Sequence, residues 1–293
     1  MIKYFTEGKV YNPDIRSNLK ITRDVFITRL LTYGRYKGQV LMSVITPVML
    51  AALPILMGPA IAGSPESARI SFEAKTGTGN YAGFLLLGTL FFNLVSNSLW
   101  NFGYWLRREQ MQGTLETLYS TPTDRIWLLT GTSLYVMVRN GLSFIFALIL
   151  GSILFAIPIG AYLQPTLILA ALLFVIGVFP LFGLSLIFGA AVLRFKDVNS
   201  LISVVNWVFS FLLGVFYPIT VFPVILQLLS LILPLTWVNN ALRAVLFEAN
   251  YFVNFYVDFG VILAFAFFIP MISIWFFTRV EKSVQKREGF SSY

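Results

Sequence analysis

The sequence predicts an all-α integral membrane protein: six transmembrane helices, an N-terminal amphipathic interface helix, and a re-entrant helical hairpin before the last span. Three observations carry that expectation. Of 293 residues, 57% are hydrophobic and only 12% charged, with a mean hydropathy of +0.79, far from the composition of a soluble domain. Between Arg139 and Arg194 run fifty-four residues without Lys, Arg, Asp or Glu, more than twice the roughly 20 that span a bilayer as helix. Finally, Lys and Arg concentrate on alternate connections, as the positive-inside rule requires of a multi-pass chain.

The elements follow in chain order. Residues 1–37 are polar and basic, with no apolar run of signal-peptide length and no small-residue cleavage site, so the first span is expected to direct insertion. Within this arm Leu19, Phe26, Ile27, Leu30 and Tyr33 recur at helical intervals, while Lys20, Arg23, Asp24 and Arg35 take other positions. That is the pattern of a helix on the membrane surface, and it fits a plain anchor as well as a helix with a further task. Gly34 and Gly38 would supply a bend into the first span.

Spans are expected at 39–62, 81–105, 126–157, 166–193, 201–222 and 255–278. The break at Ile157-Pro158-Ile159-Gly160-Ala161-Tyr162-Leu163-Gln164-Pro165 separates the third from the fourth, because two prolines and a glycine suit a turn and not a helix interior. Six spans put both termini on one side. That side collects seventeen of the basic residues and the other three, Arg69, Lys75 and Arg243; both termini are therefore expected in the cytoplasm of a multi-pass cell-membrane protein. The division is a 1–38 arm, a 39–278 transmembrane domain and a 279–293 tail. The formal charge of +8 follows from this topology and from attraction to anionic lipid, so no nucleic-acid partner is called for.

Residues 216–249 are too apolar for an aqueous loop. Pro223 and Pro234 divide them into helices of about ten and fifteen residues, roughly 15 and 22 Å, both short of the roughly 30 Å hydrocarbon core. They should enter and leave on one face, as re-entrant structure whose broken backbone needs a protein surface. Two charges fall inside predicted spans. Asp258 lies near the outer end of the last span, within reach of headgroups. Arg139 lies about fourteen residues into the third and fits a pathway or bundle-facing position as well as a local structural pair.

The chain has no Cys and no His, which removes disulfides and the commonest transition-metal ligands. No metal site and no catalytic residue is assigned. The paired carboxylates or His of a lipid-modifying membrane enzyme are missing as well. That enzyme and a passive lipid scramblase, which needs no such signature, stand as two alternative readings of the chain.

Between the second and third spans, residues 107–125 hold three basic and three acidic side chains. By charge alone this island fits a solvated loop as well as a docking helix, which Thr121-Pro122 would end. The pattern Glu109, then Gly113-Thr114-Leu115-Glu116, then Leu118 and Thr121-Pro122 resembles the first cytoplasmic loop of type-2 ATP-binding-cassette (ABC) exporter permeases. Leu193-Arg194-Phe195-Lys196-Asp197-Val198 is similar to the Arg-Phe-Lys/Arg-Asp run these permeases carry between their fourth and fifth spans. Tyr217-Pro218, Leu233 to Thr236 and Ala241 to Arg243 resemble their re-entrant region.

The resemblance implies that Glu109, Gly113, Thr114, Leu115 and Glu116, with Arg194, Lys196 and Asp197, couple the chain to an ABC ATPase subunit. It also implies a second permease copy or homologue around a shared route. Arg139, Tyr217, Trp237 and Arg243 are candidates for the pathway or an interface. The sequence has no G-x-x-x-x-G-K-[ST] loop, since its one Gly-Lys pair is Gly8-Lys9, so no cofactor is expected in this chain and ATP and Mg would sit in the partner. The expected substrate is amphipathic, lipid-linked or drug-like.

Overall fold

The computed structural model describes residues 15–103, 105, 111, 113, 125–158, 166–192 and 198–288. Among these every regular element is helical: α1 (Ile15–Arg35), α2 (Lys37–Ala62), α3 (Pro65–Thr76), α4 (Tyr81–Gly103), α5 (Arg125–Leu154), α6 (Thr166–Val192), α7 (Val198–Leu212), a 3-10 turn (Ile219–Val221), α8 (Val224–Ile232), α9 (Pro234–Phe247) and α10 (Phe255–Glu288). Five of them, α2, α4, α5, α6 and α10, contain segments long and apolar enough to cross a membrane, and α8 with α9 forms a pair bent by 94°. An all-α integral membrane protein is what the composition predicted.

The core shows how prolines are accommodated without water. Each proline inside a helix removes the N–H that would bond the carbonyl four residues earlier, and an orphaned carbonyl in an apolar bundle must find another donor. In α2, Pro47 frees the Ser43 carbonyl, and the Ser143 hydroxyl of α5 donates to it. Pro59 frees the Ile55 carbonyl, which the Tyr81 hydroxyl of α4 takes at 3.1 Å while also donating to the Pro54 carbonyl at 2.6 Å. These bonds tie α2 to α5 and α4. The central helix is α4, 72% of whose span window is buried, whereas α2 and α10 bury only 22% and 11% of theirs and leave apolar side chains such as Leu53, Phe267 and Met271 outward.

The helices alternate in direction, and contacts fix which ends meet. Thr166 at the start of α6, Thr78 and Asn80 just before α4, and Phe247 at the end of α9 surround one cavity of about 440 Å³. The backbone N–H of Asn250, beyond α9, donates to the Thr76 carbonyl at 2.9 Å. Carbonyls just after α7 and the Phe84 carbonyl in the first turn of α4 share one partner in α9. The end of α7, both ends of the chain between α7 and α10, and the starts of α4 and α6 thus lie together, at the α3 end of the bundle. The chain leaves α7 and enters α10 at the same end, so α8 and α9 return to the end they left, and the shorter apolar α7 brings the chain back there from the end of α6.

Three differences from the sequence expectation have physical causes. The fifth span, expected at 201–222, stops as helix at Leu212, about 22 Å long for its fifteen residues. Gly214 there has φ +61°, a left-handed conformation open to glycine at little cost, and it turns the chain nine residues ahead of Pro223. A helix unforeseen in the 63–80 connection, α3, is capped at both ends. The Ser64 hydroxyl accepts the Ser67 N–H at 3.1 Å, Pro65 opens the first turn, and Gly77 closes the last. On its surface Arg69 pairs with Glu66 at 2.8 Å and holds that carboxyl below its ordinary pKa. Third, Asp258 does not reach outward. It is buried and accepts the backbone N–H groups of Phe252 at 3.0 Å and Val253 at 3.2 Å, capping the turn that feeds α10. Its neutralising partners are thus backbone donors within the chain and not headgroups.

Helix α1 packs lengthwise along the first turns of α5. Its small polar side, Asn18 and Thr22, is buried there, with the Thr22 hydroxyl on the Trp127 carbonyl at 3.1 Å, and Tyr33 meets Tyr135 edge-on at 6.3 Å. Ile15, Leu19, Ile27 and Leu31 are left exposed. The bend into α2 falls at Tyr36.

Candidate functional site

Two regions of the bundle carry the charged and polar side chains on which a transport function would draw. At the α3 end, α9 presents Thr236, Asn239 and Arg243 at helical intervals, which places all three on one face. That face meets the chain where α7 breaks. Thr236 Oγ1 donates to the Leu212 carbonyl at 3.3 Å, Asn239 Nδ2 to Leu213 at 3.0 Å, and the two Nη atoms of Arg243 to Gly214 and Val215 at 2.7 Å each. Arg243 Nε adds the Phe84 carbonyl at 3.2 Å, and the guanidinium lies 3.6 Å from the centre of the Phe84 ring. The arginine is 2% exposed. A buried cation without a carboxylate is costly, and here carbonyl dipoles and a π-face take that role. The approach is so close that a Cβ on Gly88 would strike the Arg243 side chain and the Val215 carbonyl.

Trp237 and Tyr217 belong to the same framework. The Trp237 indole donates to the Leu231 carbonyl at 2.8 Å, closing the α8–α9 corner, and its ring stands edge-on to Phe252 at 5.2 Å. Tyr217 packs against Phe222 at 5.2 Å. The carbonyls of residues 212–215 and of Leu231 are therefore satisfied within the chain by side chains of α9, and those of Thr220 and Phe222 by Gln227 of α8.

The second region is a cleft between α1, α2, α4 and α5, toward the other end. Arg139 of α5 is half-buried in it. Its Nε and one Nη donate to Asn140 Oδ1 at 3.2 and 2.9 Å, and its guanidinium lies 5.6 Å from the Tyr33 ring and 5.8 Å from that of Tyr135. Asn140 Nδ2 donates to Ser98 Oγ at 3.2 Å, which fixes the amide. Opposite, α4 carries Asn93, Asn97 and Asn101. Asn97 donates to Asn93 Oδ1 at 2.8 Å, and Asn101 to the Asn97 carbonyl at 2.6 Å. The sequence reading singled out Arg139 but not this ladder. Its signal was present as asparagines spaced by four within an apolar span, on one helical face.

Of the eight residues expected to couple to an ATPase, Gly113 lies exposed in a turn. Glu109, Thr114, Leu115, Glu116, Arg194, Lys196 and Asp197 lie outside the described residues. Their anchors are informative nevertheless. α4 and α6 both begin at the α3 end and run away from it, so the chain leaves both helices, toward 104–124 and toward 193–197, at the opposite end of the bundle. No cluster of Asp and Glu able to hold a metal ion occurs among the described residues.

Residues 25–247 match the family model described as ABC-2 type transporter. The chain belongs to this family. The match runs from α1 through the end of α9, so it takes in the Arg139 cleft, both connections at the far end and the re-entrant hairpin. Among curated proteins the search finds no match. The family establishes a transporter permease component, a multi-pass membrane domain.

Proposed function

We propose that this ABC-2 permease is the transmembrane subunit of an ATP-driven exporter, moving an amphipathic, lipid-linked or drug-like substrate out of the cytoplasm or the inner leaflet. The observation that carries the proposal is that the two connections resembling ATPase-contacting loops leave the bundle at one end, opposite the re-entrant hairpin. An ATPase docked on that end, binding ATP and Mg, would hold Glu109 and Gly113 to Glu116 as its principal contact and Arg194, Lys196 and Asp197 as a second. Closure of the ATPases then tilts α4 and α5 through the segment joining them. A second permease copy or a close homologue completes the route, since six crossings around a packed α4 leave no wide channel.

In this reading the docking end is cytoplasmic in the cell membrane, as are both termini. Arg139 lies on the substrate route from the inner side, and Tyr217, Trp237 and Arg243 frame its outer end. Exposed apolar residues of α1 rest on inner-leaflet lipid.

Charge reversal at Glu116 tests the proposal. Glu116→Arg is expected to insert normally and lose ATP-coupled transport; a variant that couples as well as the parent removes the docking assignment. The topology has its own test, because a chain without native cysteine accepts single cysteines freely. In sealed cells, membrane-impermeant labelling is expected at position 254 and absent at 285. Labelling at 285 from outside would invert the tail and sink the six-crossing arrangement.

A further inference from the structure

We propose that the cleft between α1, α2, α4 and α5 binds a phosphate headgroup, with Arg139 as the residue that contacts the anion. The site rests on the permease reading for its place in transport, but not for its binding chemistry.

Two cavities of about 270 and 410 Å³ share Tyr33, Gln39 and Arg139 along their walls. Among the described residues, their shared wall carries the guanidinium of Arg139, and neither lining includes an Asp or Glu. A carboxylate, Asp24, enters the lining only in the next recess along α1, together with Arg29. Among the described residues, the charge that faces the shared part of the cleft is therefore that of Arg139.

Donor geometry separates this arginine from a structural one. A guanidinium carries five N–H donors. Arg139 gives Nε and one Nη to a single neutral acceptor, Asn140 Oδ1, and no ion pair to it occurs among the described residues. The amide holds the guanidinium at one edge while the cavities lie beside it. The N–H groups of Arg139 not given to Asn140 suit an anion with several acceptor oxygens, and a phosphate is the group to which arginine forks are best matched.

The setting favours a phosphate carried on lipid. Met42, 59% exposed, and Tyr36, 62% exposed, border the cleft, beside the outward-facing Leu41 of α2. An acyl chain can lie against that edge with the headgroup inside, whereas a free anion gains nothing from it.

Binding can be measured on the purified full chain in dodecyl maltoside, by thermal unfolding followed through tryptophan fluorescence. Three probes are compared: dihexanoyl phosphatidic acid, dihexanoylglycerol and inorganic phosphate. Phosphatidic acid is expected to raise the unfolding temperature saturably and dihexanoylglycerol to leave it unchanged. Arg139→Gln should raise the half-saturating concentration at least tenfold. Inorganic phosphate acting at the same concentrations would assign the site to the phosphate group alone; response to phosphatidic acid only would assign it to a lipid headgroup.

Should Arg139→Gln not fold, Asn140→Asp decides, since a carboxylate in the amide's place keeps the guanidinium held and cancels its charge. That variant is expected to lose the phosphatidic acid response. An unchanged response in either variant, or equal shifts with phosphatidic acid and dihexanoylglycerol, overturns the proposal. Because no ATPase and no transport enter the assay, failure here leaves the exporter reading standing, and failure of that reading leaves the site standing.

Discussion

Arg243 and Arg139 are both arginines inside the membrane domain, and they differ in where their N–H groups go. Arg243 sends three hydrogen bonds to three backbone carbonyls, two of them just past the break in α7, and is sealed at 2% exposure. Arg139 spends two on one side-chain amide and faces open volume. The first is a strut that makes a broken backbone tolerable away from water. The second is a charge held in position with capacity to spare. Charge within a span therefore says that a residue matters, and only its partners say whether for folding or for binding.

The largest effect should come from removing the strut. Arg243→Met keeps the bulk and deletes the donors, leaving the carbonyls of Gly214 and Val215 without them, while that of Phe84 keeps its helical bond within α4. At about 1–3 kcal/mol per buried unsatisfied group, the loss is expected to be about 2 kcal/mol or more, read from denaturant or thermal unfolding in detergent. Gly88→Ala should act in the same direction, because its Cβ occupies the space of the guanidinium. A stable Arg243→Met variant would break the comparison, since the carbonyls would then be finding water or other donors.

Asp258 tests whether the α3 end depends on charge or only on hydrogen bonding. Its carboxylate caps the chain entering α10 by accepting two backbone N–H groups. Asp258→Asn retains one acceptor oxygen and turns the other into a donor facing an N–H. A loss of about 1–2 kcal/mol is expected, the size of a cap deletion, again by unfolding in detergent. An unchanged midpoint would mean that the carboxyl is already protonated in the folded chain, so that its charge carries no stability.

How legible this was in the sequence depends on how each feature is written in it. Length of apolar run gave α2, α4, α5 and α6 nearly to their ends, because crossing a bilayer imposes a length. Pro223 and Pro234 marked the hairpin, since proline forces a break wherever it falls. The early end of α7 was not legible, because it rests on one glycine φ angle that an apolar pattern does not encode. Helix α3 is written in Ser64-Pro65 and Gly77, which mark its ends without an apolar run between them. Asp258 was misread because position along a span does not tell inward from outward. Thr236, Asn239 and Arg243, like Asn93, Asn97 and Asn101, were visible as polar positions on one face; which carbonyls or cavities they meet depends on other helices, and no local pattern holds that.

The smallest stability effect should be that of Arg139→Met, and it sharpens the comparison most. Removing Arg139 orphans one acceptor, Asn140 Oδ1, beside a cavity that water can occupy, so the loss is expected to stay within about 1 kcal/mol. The two arginines share no hydrogen-bond partner, so the double variant Arg139→Met with Arg243→Met should lose the sum of the single losses to within about 0.5 kcal/mol. Unfolding of the four chains in one detergent provides the cycle. A loss at Arg139 as large as that at Arg243 would make it a second strut, and the cleft would then have to be explained as packing.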